Sequence, residues 1–122
     1  MRQEVKKKWI AALRSGEYKQ GRESLRPTEN TYCCLGVLCD LYKQTRHKGK
    51  WLLNDFDYPV FDFLIGGKHE SNELPPEVIK WAGLDDSNPG IMVNNHRSSL
   101  AEMNDEKNSN FKKIANLIKE QF

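Results

Sequence analysis

Apolar residues recur at helical spacing near both ends of the chain. They predict a first helix from Gln3 to Arg14, ended by Ser15-Gly16. Its apolar face consists of Val5, Trp9, Ile10 and Leu13. A last helix, capped by Ser109, presents Phe111, Ile114, Ala115, Ile118 and Phe122. Both helices are therefore expected to be amphipathic.

The most apolar stretch is YCCLGVLCDLY, at residues 32–42. It predicts a central buried helix that begins near Thr31, with Asn30 or Thr31 as its cap. The helix would carry an apolar stripe of Cys34, Leu35, Leu38, Leu41 and Tyr42. A buried strand is the alternative, because a short apolar run fits both structures. A short strand around Ser24 or Leu25 is a further option.

The remaining segments predict shorter elements. Residues 50–53 and 59–65 fit short strands or pieces of helix, and Gly66-Gly67 breaks the chain after them. The segment from Asn72 through Leu74-Pro75-Pro76 opens a third helix that runs to Gly83. Residues 91–93 fit a strand, Ser98 or Ser99 caps a brief helix through Met103, and residues 104–108 form a polar turn. The expected fold is one α+β domain over residues 1–122, helix-dominated, with a small sheet or hairpin around the cysteine-bearing helix.

Composition narrows the class of protein. Twelve aromatic residues argue against disorder, although 30% of residues are charged and mean hydropathy is −0.76. No apolar run reaches the roughly 20 residues that cross a bilayer, and the basic start lacks the apolar length of a secretory signal. The net charge of +2 divides unevenly, with +5 in residues 1–26 and −6 in residues 51–89. A basic first helix can contact phosphates, or simply form a solvated face.

Three cysteines, Cys33, Cys34 and Cys39, lie within seven residues. Their odd number and close spacing, without a Cys-x-x-Cys pair, predict free thiols in a reducing cytoplasm and neither a metal site nor a cofactor. If the helix begins near Thr31, Cys33 and Cys34 occupy its first turn, where the helix dipole lowers a thiol pKa. The block superficially resembles the nucleophile helix of papain-like hydrolases, with His96 as the best base. Core packing by small apolar cysteines explains the same residues.

Two other groups are candidates for ligand binding. Tyr18, Gln20 and Arg22 mix aromatic, amide and basic side chains, a combination that stacks on bases and contacts phosphates or stabilises a surface loop. Asn104-Asp105, together with Asp40, supplies polar groups that bind a ligand or hold a turn.

Five ordered blocks of the chain resemble a set of small, uncharacterised bacteriophage proteins. The most distinctive is CCLGVLCD at residues 33–40. The blocks W-x3-L-x-S-G-x-Y-x-Q, L-P-x2-V-x2-W-x-G-L, L-A-x2-N-D and FKKIANLI accompany it. The resemblance implies a phage origin and a role in the cytoplasm of an infected bacterium. It transfers no activity.

Three functions follow as hypotheses. The first is a non-enzymatic accessory protein that binds a host or defence protein, or a small nucleotide signal. The second is a cysteine-dependent hydrolase or transferase that uses Cys33 or Cys34. The third is nucleic-acid binding through the first helix and residues 18–26. No membrane partner is expected, and the sequence leaves the oligomeric state open.

Overall fold

A computed structural model describes residues 1–56 and 59–122. Asp57, which contributes to the acidic middle segment, and Tyr58 lie outside the described residues. The described helices are α1 (Gln3–Arg14), α2 (Cys34–Arg46), α3 (Pro76–Ala82), α4 (Leu100–Asp105) and α5 (Phe111–Gln121). The first helix thus has the bounds that its apolar spacing predicts. The α+β, helix-dominated architecture is confirmed.

The strands form small, separate sheets rather than one. They are β1 (Lys19–Gln20), β2 (Thr31–Tyr32), β3 (Lys50–Asn54), β4 (Val60–Ile65), β5 (Lys68–Glu70), β6 (Gly90–Val93) and β7 (His96–Ser99). Strands β1 and β2 pair in parallel, β3-β4-β5 form an antiparallel sheet in that order, and β6 pairs with β7. Gly66 and Gly67 form the β4–β5 turn at φ values of +59° and +76°, which favour glycine.

The central helix lies where the sequence predicts it, but it begins later. Thr31 and Tyr32 pair with Lys19 and Gln20, so neither Asn30 nor Thr31 caps the helix. Cys33 is the N-cap, with extended backbone and a sulfur that accepts the Gly36 N–H. The helix continues to Arg46, past the predicted end at Tyr42.

Buried residues of all five helices, with Leu25 and Phe63, form one core. In α2, Cys34, Leu35 and Leu38 have no exposed surface, and the Trp9 indole of α1 donates a 2.9 Å hydrogen bond to the Cys34 carbonyl. Burying leucine-sized side chains stabilises a fold by about 1.5–3 kcal/mol each. The cysteine-bearing helix is therefore the centre of the packing, as its apolar pattern predicts.

Other local predictions need correction. Ser24 and Leu25 form no strand; Arg26 instead makes an isolated bridge to Phe61. Asn110, not Ser109, caps α5 by accepting the Lys113 N–H.

The predicted 104–108 turn also begins too early. Asn104 and Asp105 are the last two residues of α4, and Ser99 caps that helix. His69 lies in β5, and His96, the predicted base, lies in β7.

Candidate functional site

Cys33 lies at the start of α2, yet its environment suppresses the thiolate. Its side chain is 5% exposed, and its sulfur accepts the Gly36 N–H at 3.4 Å. Burial raises the pKa of Cys33 to about 11, and the backbone N–H groups of the helix start offset only part of this effect. At neutral pH the group is a thiol rather than an activated nucleophile.

Cys34 and Cys39 are core residues. Both are fully buried, and burial raises the pKa of each thiol well above its ordinary value. The Cys34 sulfur lies 3.6 Å from the Leu100 carbonyl oxygen. Among residues 1–56 and 59–122, no hydrogen bond joins a histidine to a cysteine, and His96 is exposed. In this part of the chain, the predicted base His96 therefore makes no hydrogen bond to Cys33 or Cys34.

Asn104 holds three segments together. Its Oδ1 accepts the Cys34 N–H at 3.1 Å and a Gln20 amide N–H at 3.2 Å. Its Nδ2 donates to the Gly21 carbonyl at 2.8 Å, and the residue has no exposed surface. Gln20 also donates to the Ser109 carbonyl at 2.8 Å. Asn104 and Gln20 therefore connect β1, α2 and α4, which explains both residues without a ligand.

Arg22 and Asp105 extend the same network toward the surface. Arg22 reaches the Glu106 carbonyl at 3.4 Å, and the Glu23 N–H donates to Asp105 Oδ1 at 2.9 Å. Glu23 has a φ of +76°, a conformation that costs energy for a residue with a Cβ atom. The contact with Asp105 thus holds the residue 23 bend against the end of α4.

Asp40 organises a second network around β3. Its carboxylate accepts hydrogen bonds from the Tyr18 hydroxyl at 2.6 Å, the Gln44 amide at 2.9 Å and the Trp51 indole at 3.0 Å. Burial, followed by the hydrogen bond and charge of Asp40, raises the pKa of Tyr18. Three donors satisfy this carboxylate, so Tyr18 and Asp40 act first as structural residues.

Arg26 stacks on an aromatic cluster that the sequence pattern does not reveal. Its guanidinium carbon lies 4.8 Å from the ring centre of Tyr32, 5.4 Å from Trp51 and 4.9 Å from Phe61. Its nitrogens also donate to the Glu29 carbonyl. These cation–π contacts fix the loop before β2 on the sheet.

A small polar cavity lies beside Cys33 and Asp105. Its volume is about 190 Å³. It is lined by Glu23, Ser24, Cys33, Asn72, Glu73, Asn88, Ala101 and Asp105. We call it the acidic cavity, because it contains three carboxylates and no Lys, Arg or His among its described lining residues. Of the candidates named from sequence, Cys33 and Asp105 meet here.

Strand β3 and the bend that follows it expose apolar side chains at one edge of the sheet. Leu52, Leu53 and Phe56 are 37%, 55% and 90% exposed. We call these three residues the apolar edge. Strand β4 lies on one side of β3, and within the described residues no other strand pairs with its outer side. The unpaired backbone of such an edge is a template for another strand.

The family model "Domain of unknown function (DUF8296)" matches residues 1–122. The chain belongs to this family. No curated protein and no solved structure matches the chain. Membership in the DUF8296 family therefore agrees with the expectation of an uncharacterised family and assigns no activity.

In this DUF8296 protein, sequence reasoning missed both the apolar edge and the acidic cavity. The adjacent leucines at 52 and 53 break the alternation typical of a half-buried strand, which left residues 50–53 ambiguous. The cavity residues come from separate segments that meet only in the folded chain. No described helix is long and apolar enough to span a bilayer, and the described residues contain no cluster of metal-binding side chains.

Proposed function

We propose that the protein is a non-enzymatic binding protein that recognises a host or defence protein through the apolar edge. The observation that carries this proposal is a concentration of exposed apolar surface. Four large apolar side chains are exposed among the described residues, and three of them lie within residues 52–56. Clustered exposed apolar residues mark interaction sites, whereas scattered ones need no explanation.

The backbone of β3 supports recognition by strand addition. A partner segment in extended conformation can pair with the outer side of residues 50–54 and lengthen the three-stranded sheet. Main-chain hydrogen bonds then supply affinity, while contacts to Leu52 and Leu53 on opposite faces supply specificity. Trp51 is fixed by its hydrogen bond to Asp40, so the strand is held in place before a partner arrives.

The acidic cavity itself is a poor site for a nucleotide signal. Its three carboxylates repel phosphate, and its volume is below the roughly 300–1,000 Å³ of typical small-molecule sites. The cysteine-dependent alternative finds less support because burial holds both candidate thiols in the protonated form. Arg22 and Tyr18, candidates for nucleic-acid contact, already serve internal hydrogen bonds.

The setting of this proposal is the cytoplasm of a phage-infected bacterium. Its support is the resemblance of the five sequence blocks to small bacteriophage proteins. Accessory proteins of this size commonly act by binding host components, and that analogy gives the partner class.

An affinity capture with matched variants tests the proposal. The bait is the wild-type chain, Leu53→Lys or Met92→Lys, incubated with lysate of the bacterial host. Leu53 and Met92 are 55% and 49% exposed, so each variant adds the same charge at a similarly exposed site. We expect a stoichiometric partner with wild type and Met92→Lys that is lost with Leu53→Lys, because lysine blocks strand addition at an edge.

The captured protein is then titrated against Phe56→Ser in a purified system. We expect weaker binding, since Phe56 contributes the most exposed apolar side chain. Equal capture by all three baits, or equal loss with Leu53→Lys and Met92→Lys, contradicts the proposed surface.

A further inference from the structure

We infer that β3 pairs in antiparallel orientation with β3 of a second copy of this chain, so that the protein alone forms a two-fold dimer through its apolar edge. The inference concerns how the recognition surface is occupied before a host protein binds, and in that respect it rests on the proposed function. A strand that is free along one side can be completed by any extended segment of matching chemistry. The residues of β3 match themselves.

The two edges of the three-stranded sheet differ in composition. Strand β5, at one edge, consists of three residues that are all titratable, Lys68–Glu70. Short length and charge are features that protect an edge strand from pairing. Strand β3, at the other edge, has five residues without proline or glycine, and its middle three, 51–53, carry no charge. The sheet therefore protects one edge and leaves the other open for pairing.

One antiparallel register gives every apolar side chain of β3 an apolar neighbour. A two-fold axis perpendicular to the sheet at Leu52 places this residue opposite Leu52 of the second copy, and Trp51 opposite Leu53 of the second copy. Opposed residues lie on the same face of the sheet, with Cβ atoms about 4.5–5.5 Å apart. Trp51 and Leu53 lie on the face that carries Phe63, which is opposite Trp51 in β4. The pairing thus extends this apolar face from one copy to the next.

The charges at the two ends of β3 favour the antiparallel orientation. Lys48 and Lys50 lie at its beginning, and Asp55 directly follows its last residue. All three side chains are exposed, and none forms a salt bridge within the described residues. Antiparallel pairing places the basic beginning of each strand beside the acidic end of the other. Parallel pairing would instead place like charges together.

Strand β3 is fixed in an extended shape before a second strand arrives. The Trp51 indole donates a 3.0 Å hydrogen bond to Asp40, and its ring centre lies 4.9 Å from that of Phe63. At the other end of the strand, the Asn54 side-chain amide donates to the Asp62 carboxylate at 3.0 Å. A strand that is already ordered loses little conformational entropy on pairing, and this lowers the cost of association.

The symmetry of the contact limits the assembly to two copies. An isologous contact uses the same surface in both copies, so pairing through β3 occupies the open edge of each. The joined sheet runs β5-β4-β3-β3-β4-β5, and both of its outer edges are the charged strand β5. A host segment competes with the second copy for the same side of β3. Dissociation of the dimer is therefore the step that exposes the recognition surface.

Sedimentation velocity of the purified protein over a series of concentrations tests the inference. We expect the mass to rise with concentration from 14.2 kDa to twice that value. Leu52→Lys should abolish the dimer, because it places two lysines opposite each other at the axis. Met92→Lys is the matched control, since it adds the same charge at another exposed apolar residue and should leave the dimer unchanged. Circular dichroism of each variant establishes that its fold is retained.

A charge exchange tests the orientation of the two strands. Lys50→Glu and Asp55→Lys should each raise the dissociation constant of the dimer about tenfold or more, because each change places like charges together at both ends. An equimolar mixture of the two variants should recover the dimer, since opposite charges then meet at both ends. Variants that had lost their fold would not recover on mixing, so this result separates pairing from misfolding.

The inference is overturned if wild type stays at 14.2 kDa at every concentration, if Leu52→Lys leaves a dimer intact, or if the mixture of charge variants remains monomeric. These results are independent of the capture that tests the proposed function. Capture of a host protein by a wild type that never dimerises removes this inference alone. Failure of capture, together with recovery of the dimer in the mixture, assigns the apolar edge to self-association and removes the proposed function alone.

Discussion

The carbonyl oxygen of Leu25 lies against the Cα of Gly36, in the space that a Cβ atom would occupy. The same oxygen accepts the N–H of Cys33 at 3.0 Å. Leu25 is fully buried, so the loop and the first turn of α2 are in direct backbone contact. Glycine at residue 36 permits this approach, which sets the position of Ser24 and Cys33 at the acidic cavity.

Gly36→Ala should destabilise the protein by about 1–3 kcal/mol or more, because the added methyl must displace backbone rather than a flexible side chain. Urea unfolding followed by circular dichroism measures this loss. Gly90→Ala is the matched control, since its Cβ would lie 3.6 Å from the nearest heavy atom, an ordinary contact. Equal stability of both variants would mean that the loop does not press on α2.

The sequence pattern predicts the helices whose apolar residues recur at helical spacing and form one buried face. Helices α1 and α5 are both amphipathic. In α1, for example, the spacing of Val5, Trp9 and Leu13 is sufficient to predict the helix. The start of α2 is different. Thr31 and Tyr32 leave the helix because they pair with Lys19 and Gln20, and local sequence carries no signal for that parallel contact.

The residues of the candidate site also divide into those that the sequence predicts and those that only the fold brings together. Cys33 and Asp105 were identified from their residue types, and both line the acidic cavity. Ser24 and Glu73 could not be predicted as site residues, because each is an ordinary polar residue in a loop. Asn104 was identified as a ligand candidate, but its burial and its partners in three segments depend on the tertiary fold.

Asn104→Ala should cost about 3 kcal/mol or more. The change leaves the buried Cys34 N–H without an acceptor and the Gly21 carbonyl without its donor, each at about 1–3 kcal/mol. Chemical denaturation measures the total. Asn110→Ala is the comparison, because it removes one exposed N-cap and should cost only about 1 kcal/mol. Similar losses in the two variants would contradict a central role for Asn104.

Stability should fall as pH rises above about 9, where thiols ionise in the unfolded chain. Folding raises the pKa of Cys33 to about 11. The contribution of this thiol to the stability of the folded protein is therefore complete below about pH 9 and is lost progressively up to about pH 11. Cys33 accounts for about 2–3 kcal/mol of this loss of stability. Urea unfolding with reductant at pH 7.5, 9.5 and 10.5 follows the change.

Cys33→Ser provides the control for this pH dependence. Serine retains an N-cap acceptor for the Gly36 N–H and does not titrate in this range. The variant should lose less stability than wild type as pH rises. Part of the loss should remain, because the pKa values of Cys34, Cys39 and Tyr18 are also raised in the folded protein. A loss as steep as that of wild type would show that Cys33 keeps no elevated pKa in the folded protein.

Alkylation by iodoacetamide at pH 7.5 should be slow at all three cysteines of the native protein. A pKa of about 11 in place of 9 leaves about 100-fold less thiolate at Cys33, and burial restricts access further. Mass spectrometry of timed samples gives the rate at each site, with the urea-unfolded chain as the reference for free thiols. Labelling of Cys33 at or above that reference rate would require a stabilised thiolate at the start of α2. That result would favour the cysteine-dependent hydrolase over the binding protein, because a reactive thiol beside the acidic cavity has the chemistry of a nucleophile.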